Sequence, residues 1–465
     1  MKPLVEELRT DLTAYQAFLL FRRQHSVAFL ESRPGYGDLG RFSILGINPW
    51  RTLRAWPDRC LLDGKLVDED PFDLLARLLA ENKVEPVPSL PIIGGCVGFI
   101  AYDAGFKLIG LSLPPRAAAA ADSAKPLISF DFYDNFLVYD HFTDRKYAIG
   151  CGQLDDAASS NKRLRSMLRM PSLPVLGHPY DTEPVIPSEK EHIVNVEALR
   201  EQIRQGEVYI ANLTDQFTAQ TAAPADTLFD RLRKINPAPF GAFVRQDALE
   251  ILSASPERLL HIDHQRQVET RPIKGTRPRG RDEIEDLANS SELIASEKDR
   301  SELLMITDLE RNDLSRICQP ESVRVTELFK LESYPAVHHL VAVVTGKLRD
   351  GVSEVDALRL CFPGGSITGA PKAAAMRIID DLEQQPRYLY TGCLGYFSFD
   401  GQADFNILIR TAVKCGASIS YGSGGGITWE SDPRPEYQEM LVKAQAFMTI
   451  LKGDGESDAM GKRTG

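Results

Sequence analysis

Up to about residue 151 the chain falls into short runs rich in β-branched and aromatic residues, each closed off by turn residues: 27–30, 42–45, 52–56, 94–102 and, with breaks, 128–149. Strands joined this closely by turns pair antiparallel, so a largely antiparallel sheet is expected. Helices punctuate it. Phe72, Leu74, Leu75, Leu78 and Leu79 share one face at helical spacing within 71–79, and 161–170 reads as a second helix. The proline-rich segment 171–187, with Gly177 and His178 inside it, can continue neither helix nor sheet. It divides the chain into a first region (1–170), a linker or surface crossover (171–190), a second region (191–451) and a tail (452–465).

In the second region Val196, Leu199 and Ile203 mark an amphipathic helix over 194–205, with Gly206 where a C-cap glycine is expected. It feeds a β-rich run at 208–213. Residues 282–309 lack an internal proline and read as mostly helical, 392–399 and 405–413 as strands, and 435–451 as the last helix. The tail holds four glycines and few apolar residues, and is expected to be mobile.

Composition excludes several classes of function. With 465 residues, 43% hydrophobic and 26% charged, the chain has the apolar material of a soluble globular protein with more than one ordinary core. Its net charge of −11, from 54 basic and 65 acidic residues, argues against nucleic acid as a partner. An anionic substrate must then be met by local positive charge. Cys60, Cys96, Cys151, Cys318, Cys361, Cys393 and Cys415 are scattered without metal-site spacing and read as reduced packing residues. The N-terminus lacks the apolar core of a signal peptide, and no run reaches the length of a membrane span, so a cytoplasmic protein without a membrane partner is expected.

Several constellations could carry chemistry. PIKGTRPRG (272–280) places Lys274 among Pro272, Gly275, Pro278 and Gly280, which suits a shaped loop better than a helix or a central strand. The lysine is a nucleophile, a charge facing an anion, or part of a solvated basic turn. Glu436, Glu439 and Lys443 share one face of the last helix, and Glu302 follows Lys298, Asp299, Arg300 and Ser301 on another. Glutamates from two helices make either a Mg²⁺ site or solvated, ion-paired faces. Gly424, Gly425 and Gly426 follow a β-rich run and could present N–H groups to a carboxylate or phosphate. PGGSITGAPK (363–372) departs from the nucleotide phosphate loop because Ala370 and Pro371 separate Gly369 from Lys372. Ser255-Pro256-Glu257-Arg258 offers a carboxyl that burial could turn into a general acid, or an exposed turn. His339 sits in an apolar run, as a core histidine or a substrate contact.

Taken in order, SPER, PIKGTRPRG, SEKDRSELLMITDLERNDL, HHLV, PGGSITGAPK, GYFSFDG, ILIRTAV, GSGGGI and PEYQEMLVKA resemble the chorismate-utilising enzymes. The resemblance implies an α+β fold like that of anthranilate synthase component I: two large antiparallel sheets packed as a sandwich with helices outside. The proline-rich segment then separates sequence regions more than independent domains. It also implies Mg²⁺ held by Glu302 and Glu439, with Glu436 a direct or water-mediated third ligand. Gly275, Thr276, His339, Tyr390, Arg410, Gly424, Gly425, Gly426 and Lys443 would position chorismate.

Within the family, Lys-Gly-Thr at Lys274 resembles the aminodeoxychorismate synthases, whose relatives usually read Ala-Gly-Thr. There the lysine attacks ring carbon 2 as the carbon 4 hydroxyl leaves, and ammonia then enters at carbon 4, on the route to p-aminobenzoate and folate. Glu257 would donate the proton to the hydroxyl. Ile210 stands where water-adding relatives carry a base lysine and many amine-adding ones a Gln. No part of the chain resembles a glutaminase, so the resemblance implies a separate glutamine amidotransferase subunit as the source of ammonia. Ser32, Pro239 and Phe240 resemble the two sides of the tryptophan pocket of anthranilate synthases, or are plain core packing. The competing readings are an anthranilate synthase large component, which has no use for Lys274, and a noncatalytic subunit that binds chorismate or an amino acid.

Overall fold

The computed structural model describes residues 3–121, 124–169, 173–177 and 181–453. Residues 171, 172 and 178–180 of the proline-rich segment, and the tail beyond Gly453, lie outside the described residues. The architecture turns on two long neighbouring strands, Phe42–Ala55 and Ile128–Asp140, which run antiparallel along their whole lengths. Their register slips between Pro49 and Arg51. A bulge bends a strand, and Pro49 has no N–H to give to a ladder.

On one side of the slip, residues 44–46 pair with Ser26–Glu31 and residues 135–140 with Arg145–Gly150. On the other side, residues 53–55 pair with Cys60–Leu62 and residues 128–133 with Gly95–Ile100. All the described strands therefore form one connected antiparallel network, yet the shared ribbon folds it into two sheets. The first runs from Ile210–Gln220 through Ser418–Ile427, Thr411–Cys415, Leu249–Ser255 and Phe240–Gln246 to Ser26–Glu31 and the ribbon. The second runs from the ribbon through Gly95–Ile100, Cys393–Ser398, Ala403–Ile407, Arg258–Ile262 and Gln267–Arg271 to Val337–Lys347.

Period-two alternation decides which residues meet between the sheets. Ala28, Ile44, Ala242, Val244 and Ile251 of the first sheet join Phe99, Phe130, Leu260, Phe397 and Phe405 of the second in one core. Their chain neighbours Phe29, Leu45, Phe243 and Leu252 point the other way, with Phe18 of the helix Ala14–Phe21, Phe229 of Ala225–Ile235 and Phe447 of Pro433–Ile450. The expected α+β sandwich is thus observed. Strands from before and after the proline-rich segment pair edge to edge in both sheets, as Ser26–Glu31 does with Phe240–Gln246 and Gly95–Ile100 with Cys393–Ser398. All seven cysteines are free, and six are buried. Among the described residues no helix is long and apolar enough to cross a membrane.

Three local expectations change. The helical stretch 282–309 is two helices, Glu283–Ala295 and Glu297–Ser315, broken at Ser296, whose side chain caps the second by accepting from Asp299 N–H. The strand expected over 405–413 is interrupted around Arg410, which adopts φ 51°. PIKGTRPRG is not a free loop, because Ile273–Pro278 is a strand paired with Val337–Lys347. Since both sequence regions build both sheets, denaturant unfolding is expected to follow one transition. Phe130→Ala should lower its free energy by about 3–5 kcal/mol. Two separable transitions would contradict the shared core.

Candidate active site

Lys274 is placed by an irregularity in its strand. The register of Ile273–Pro278 against Val337–Lys347 slips between Lys274 and Thr276. Gly275 at the slip has φ +76°, and a Cβ there would come within 2.8 Å of Asp299 Cγ. Glycine is therefore required for both conformation and space. The prolines that argued for a loop sit where a strand tolerates them, Pro272 before it and Pro278 at its last position. Lys274 Nζ reaches to 4.0 Å from Glu302 Oε2, with both side chains mostly buried. Gly426 makes room for it: a Cβ there would stand 3.2 Å from Nζ and 3.3 Å from Ile210 Cδ1.

Two helices bring carboxylates to this point. Glu302 lies on Glu297–Ser315 and Glu436 and Glu439 on Pro433–Ile450. Lys298 Nζ bridges the helices, 4.0 Å from Glu302 Oε1 and 3.7 Å from Glu436 Oε1. Ser431 Oγ donates to Glu436 Oε1 at 2.8 Å. Lys443 pairs with Glu439 at 2.8 Å and donates to Gly424 O at 2.9 Å. Beyond Tyr421 the strand Ser418–Ile427 pairs only with Ile210–Gln220 among the described strands, so its glycines are ladder residues with one free edge. A Cβ on Gly425 would lie 3.4 Å from Glu436 Oε2 and 3.5 Å from Lys443 Nζ. Lys274, Glu302, Glu436, Glu439, Lys443 and the three glycines thus converge on one place.

The electrostatics follow from burial. Desolvation pushes the Glu302 carboxyl up, with Lys274 and Lys298 opposing. Against the push of burial, Lys443 holds Glu439 below its ordinary value. Glu257, 5% exposed, is pushed up to about 7 by burial, which the Ser366 hydroxyl, Lys274 and the Ile273 N–H only partly offset. Near neutral pH it can therefore hold a proton beside a lysine. The donor set at Glu302, Glu436 and Glu439 is all oxygen, as Mg²⁺ prefers. Among the described residues, however, no three metal-ligating side chains gather closely enough to hold an ion by themselves, and Lys298 places positive charge between two of the carboxylates. The residues fit a cation that takes some of its oxygens from substrate and water.

The remaining residues form the surroundings. His339 is buried, and its Nδ1 lies 2.9 Å from Thr276 Oγ1. Burial, helped by Arg410, pushes its pKa down to about 3, so it is a neutral imidazole at physiological pH. The Tyr390 ring sits on Gly422, where a Cβ would overlap it. Ser32 Oγ donates to Pro239 O at 2.7 Å, and both residues line with Phe240 a cavity of about 350 Å³. Arg258, next in the chain to Glu257, also lines that cavity, paired with Glu269 at 2.7 Å and Asp404 at 2.8 Å.

Sequence reasoning missed Lys298 as the bridge between helices, and the buried Glu310, which accepts from Gly365 N–H and Thr270 Oγ1. Glu310 carried a readable signal. It shares the buried helix face of Leu303, Ile306, Asp313 and Leu314, three to four residues apart, where a carboxylate is out of place.

Residues 26–449 match the family of chorismate binding enzymes, and the chain belongs to that family. It is 38% identical to aminodeoxychorismate synthase component 1 of Klebsiella aerogenes, over 89% of this chain and 90% of that protein. It is 36% identical to an anthranilate synthase component 1 of Haloarcula marismortui, over 98% of this chain and 93% of that protein. The crystal structure of anthranilate synthase component I from Streptococcus pneumoniae superposes with a TM-score of 0.77 at 31% identity, covering 90% of this chain and 93% of that one.

A raised carboxyl pKa has a stability consequence. Moving Glu257 from 4.5 to about 7 means that folding favours its protonated form. That contribution, about 3 kcal/mol at 1.36 kcal/mol per unit, is present below pH 4.5 and is lost as pH rises through 7. Glu257→Gln should therefore melt like the parent at pH 4 and progressively higher than it between pH 5 and 8. Equal melting temperatures across that range would contradict a buried, proton-holding Glu257.

Proposed function

We propose that this chain converts chorismate and ammonia to 4-amino-4-deoxychorismate. The observation that carries the reading is Lys274, held by a bulged strand with Nζ 4.0 Å from Glu302 and beside Gly426, while a buried, protonatable Glu257 lies within its field. In the form that reacts, Glu257 holds the proton and Lys274 is the free amine: Nζ bonds to ring carbon 2 as the carbon 4–oxygen bond breaks, and the hydroxyl leaves as water with the Glu257 proton. Ammonia then bonds to carbon 4, Nζ leaves carbon 2, and the proton released by the new amine returns to the buried carboxylate. The pyruvyl group is untouched. Ile210 beside Lys274 offers no base to activate water, which favours amine over hydroxyl addition.

Glu302 and Glu439, with Glu436, would hold Mg²⁺, which when bound supplies positive charge to the ring carboxylate of chorismate. Lys443 fixes the glycine edge at Gly424, and Gly275, Thr276, His339, Tyr390 and Arg410 shape the ring's surroundings. The relatives named component 1 support a second component, and we assign it to a glutamine amidotransferase that supplies ammonia. The cavity at Ser32, Pro239 and Phe240 is assigned to an amino acid. Millimolar tryptophan should raise the melting temperature of the protein and lose that effect in Ser32→Phe; no shift in the parent would leave the cavity as packing.

One observation favours a second reading: an anthranilate synthase relative is nearly as similar as the aminodeoxychorismate synthase one. That reaction has no role for Lys274. With ammonium salts and Mg²⁺, Lys274→Ala should slow amination of chorismate by on the order of 100-fold or more. Unchanged turnover would remove the lysine from the mechanism and favour the second reading.

A further inference from the structure

The proposed chemistry leaves Lys298 without a task, yet the carboxylates of two helices are arranged around it. Lys298 and Glu302 stand one turn apart on Glu297–Ser315, with Nζ 4.0 Å from Glu302 Oε1, and the same Nζ reaches across to Glu436 Oε1 at 3.7 Å. The neighbouring carboxylates have cations of their own. Glu302 faces Lys274 at 4.0 Å through its other oxygen, Glu439 pairs with Lys443 at 2.8 Å, and Asp299 with Arg277 at 3.1 Å. Glu436 has none besides Lys298 among the described residues. Its Oε1 also accepts from Ser431 Oγ, while its Oε2 is turned toward the glycine edge, where a Cβ on Gly425 would lie 3.4 Å away.

The partners differ in how freely they can move. The Glu436 side chain is 7% exposed and that of Glu302 13%, so neither carboxylate can turn to bulk water for its solvation. A buried carboxylate left without a counter-charge is costly. The Lys298 side chain is 51% exposed, and its flexible stem lets the ammonium leave for solvent. The helix does not hold it in place either, because Lys298 lies in the first turn of Glu297–Ser315, where a positive charge opposes the helix dipole. What fastens Lys298 is the charge of Glu302 and Glu436. A divalent cation on those carboxylates would neutralise the same charge and repel the ammonium at close range, so the two cations exclude one another.

We infer that Lys298 is the counter-ion of the metal-free site, and that Mg²⁺ displaces it into solvent on binding to Glu302 and Glu436. This rests on the reading of those glutamates as Mg²⁺ ligands. Lys298 touches carboxylates and not the reacting atoms, so it is a positioning residue: it keeps the two helices together at Glu436 until the metal arrives. Because the exchange gives up two ion pairs, the lysine lowers the affinity of the site for the metal.

The test is calorimetric titration of the metal-stripped parent, Lys298→Met and Lys298→Arg with Mg²⁺ alone at constant ionic strength, with melting temperatures in EDTA and at saturating Mg²⁺. Met keeps the length of the stem without its charge. Lys298→Met should bind Mg²⁺ about tenfold tighter than the parent, and Lys298→Arg no tighter than the parent. In EDTA Lys298→Met should melt below the parent, and saturating Mg²⁺ should close that gap, because the loaded parent no longer uses the lysine. Binding by Lys298→Met that is unchanged or weaker would overturn the inference, as would a gap that persists at saturation. If Lys298→Met does not fold without metal, Lys298→Gln, which can donate to either carboxylate but carries no charge, is read by the same outcomes. Failure of parent and variants alike to bind Mg²⁺ alone would also overturn the inference. Repeating the titration with chorismate present and ammonia withheld then decides separately whether the glutamates are metal ligands at all.

Discussion

The shared ribbon of Phe42–Ala55 and Ile128–Asp140 is the constraint on which the rest of the structure depends. It bends from one sheet to the other at Pro49, and with the ribbon in both sheets neither sheet can form without setting the place of its partner. Between them the second sheet presents an aromatic layer, with the Phe397 and Phe405 rings 4.7 Å apart on neighbouring strands, in one core with Ala28, Ile44 and Val244 of the first. The site draws on both. Lys274 comes from beside the end of the second sheet, the glycines 424–426 from the first, and the helices carrying Glu302 and Glu436 close the space between.

In that space burial and charge oppose one another. A dianionic substrate needs positive charge, yet the site is built largely from carboxylates within an acidic chain. Lysines resolve part of the conflict: Lys298 between Glu302 and Glu436, Lys443 on Glu439, Lys274 near Glu302 and Lys372 on Asp313. Protons resolve more of it, on Glu257 and Glu310, where desolvation exceeds the available cations. The same imbalance that makes a buried acid costly to the fold lets it hold a proton near neutral pH.

The antiparallel order was legible from short strand runs, whereas the sandwich and the grouping of Lys274, Glu302, Glu436, Glu439, Lys443 and the glycines were legible only through the family resemblance of the motifs read in order. Local chemistry wrote those signals. What escaped the sequence was set by tertiary pairing. PIKGTRPRG looks like a loop because its prolines and glycines are poor in a central strand, but a bulged strand beside one neighbour accommodates them. The break at Ser296 has no proline or glycine to announce it, and Arg410 adopts a positive φ that nothing in ILIRTAV reveals. Glu310 could have been found from helical periodicity, but its hydrogen-bond partner Gly365 N–H lies more than fifty residues away in sequence.

The most direct test of the account is the identity of the product. The protein should be incubated with chorismate, Mg²⁺ and ammonium at mildly alkaline pH, and the products separated by mass. A species with an amine in place of the carbon 4 hydroxyl and the pyruvyl group retained is the predicted result. Anthranilate with free pyruvate would contradict it.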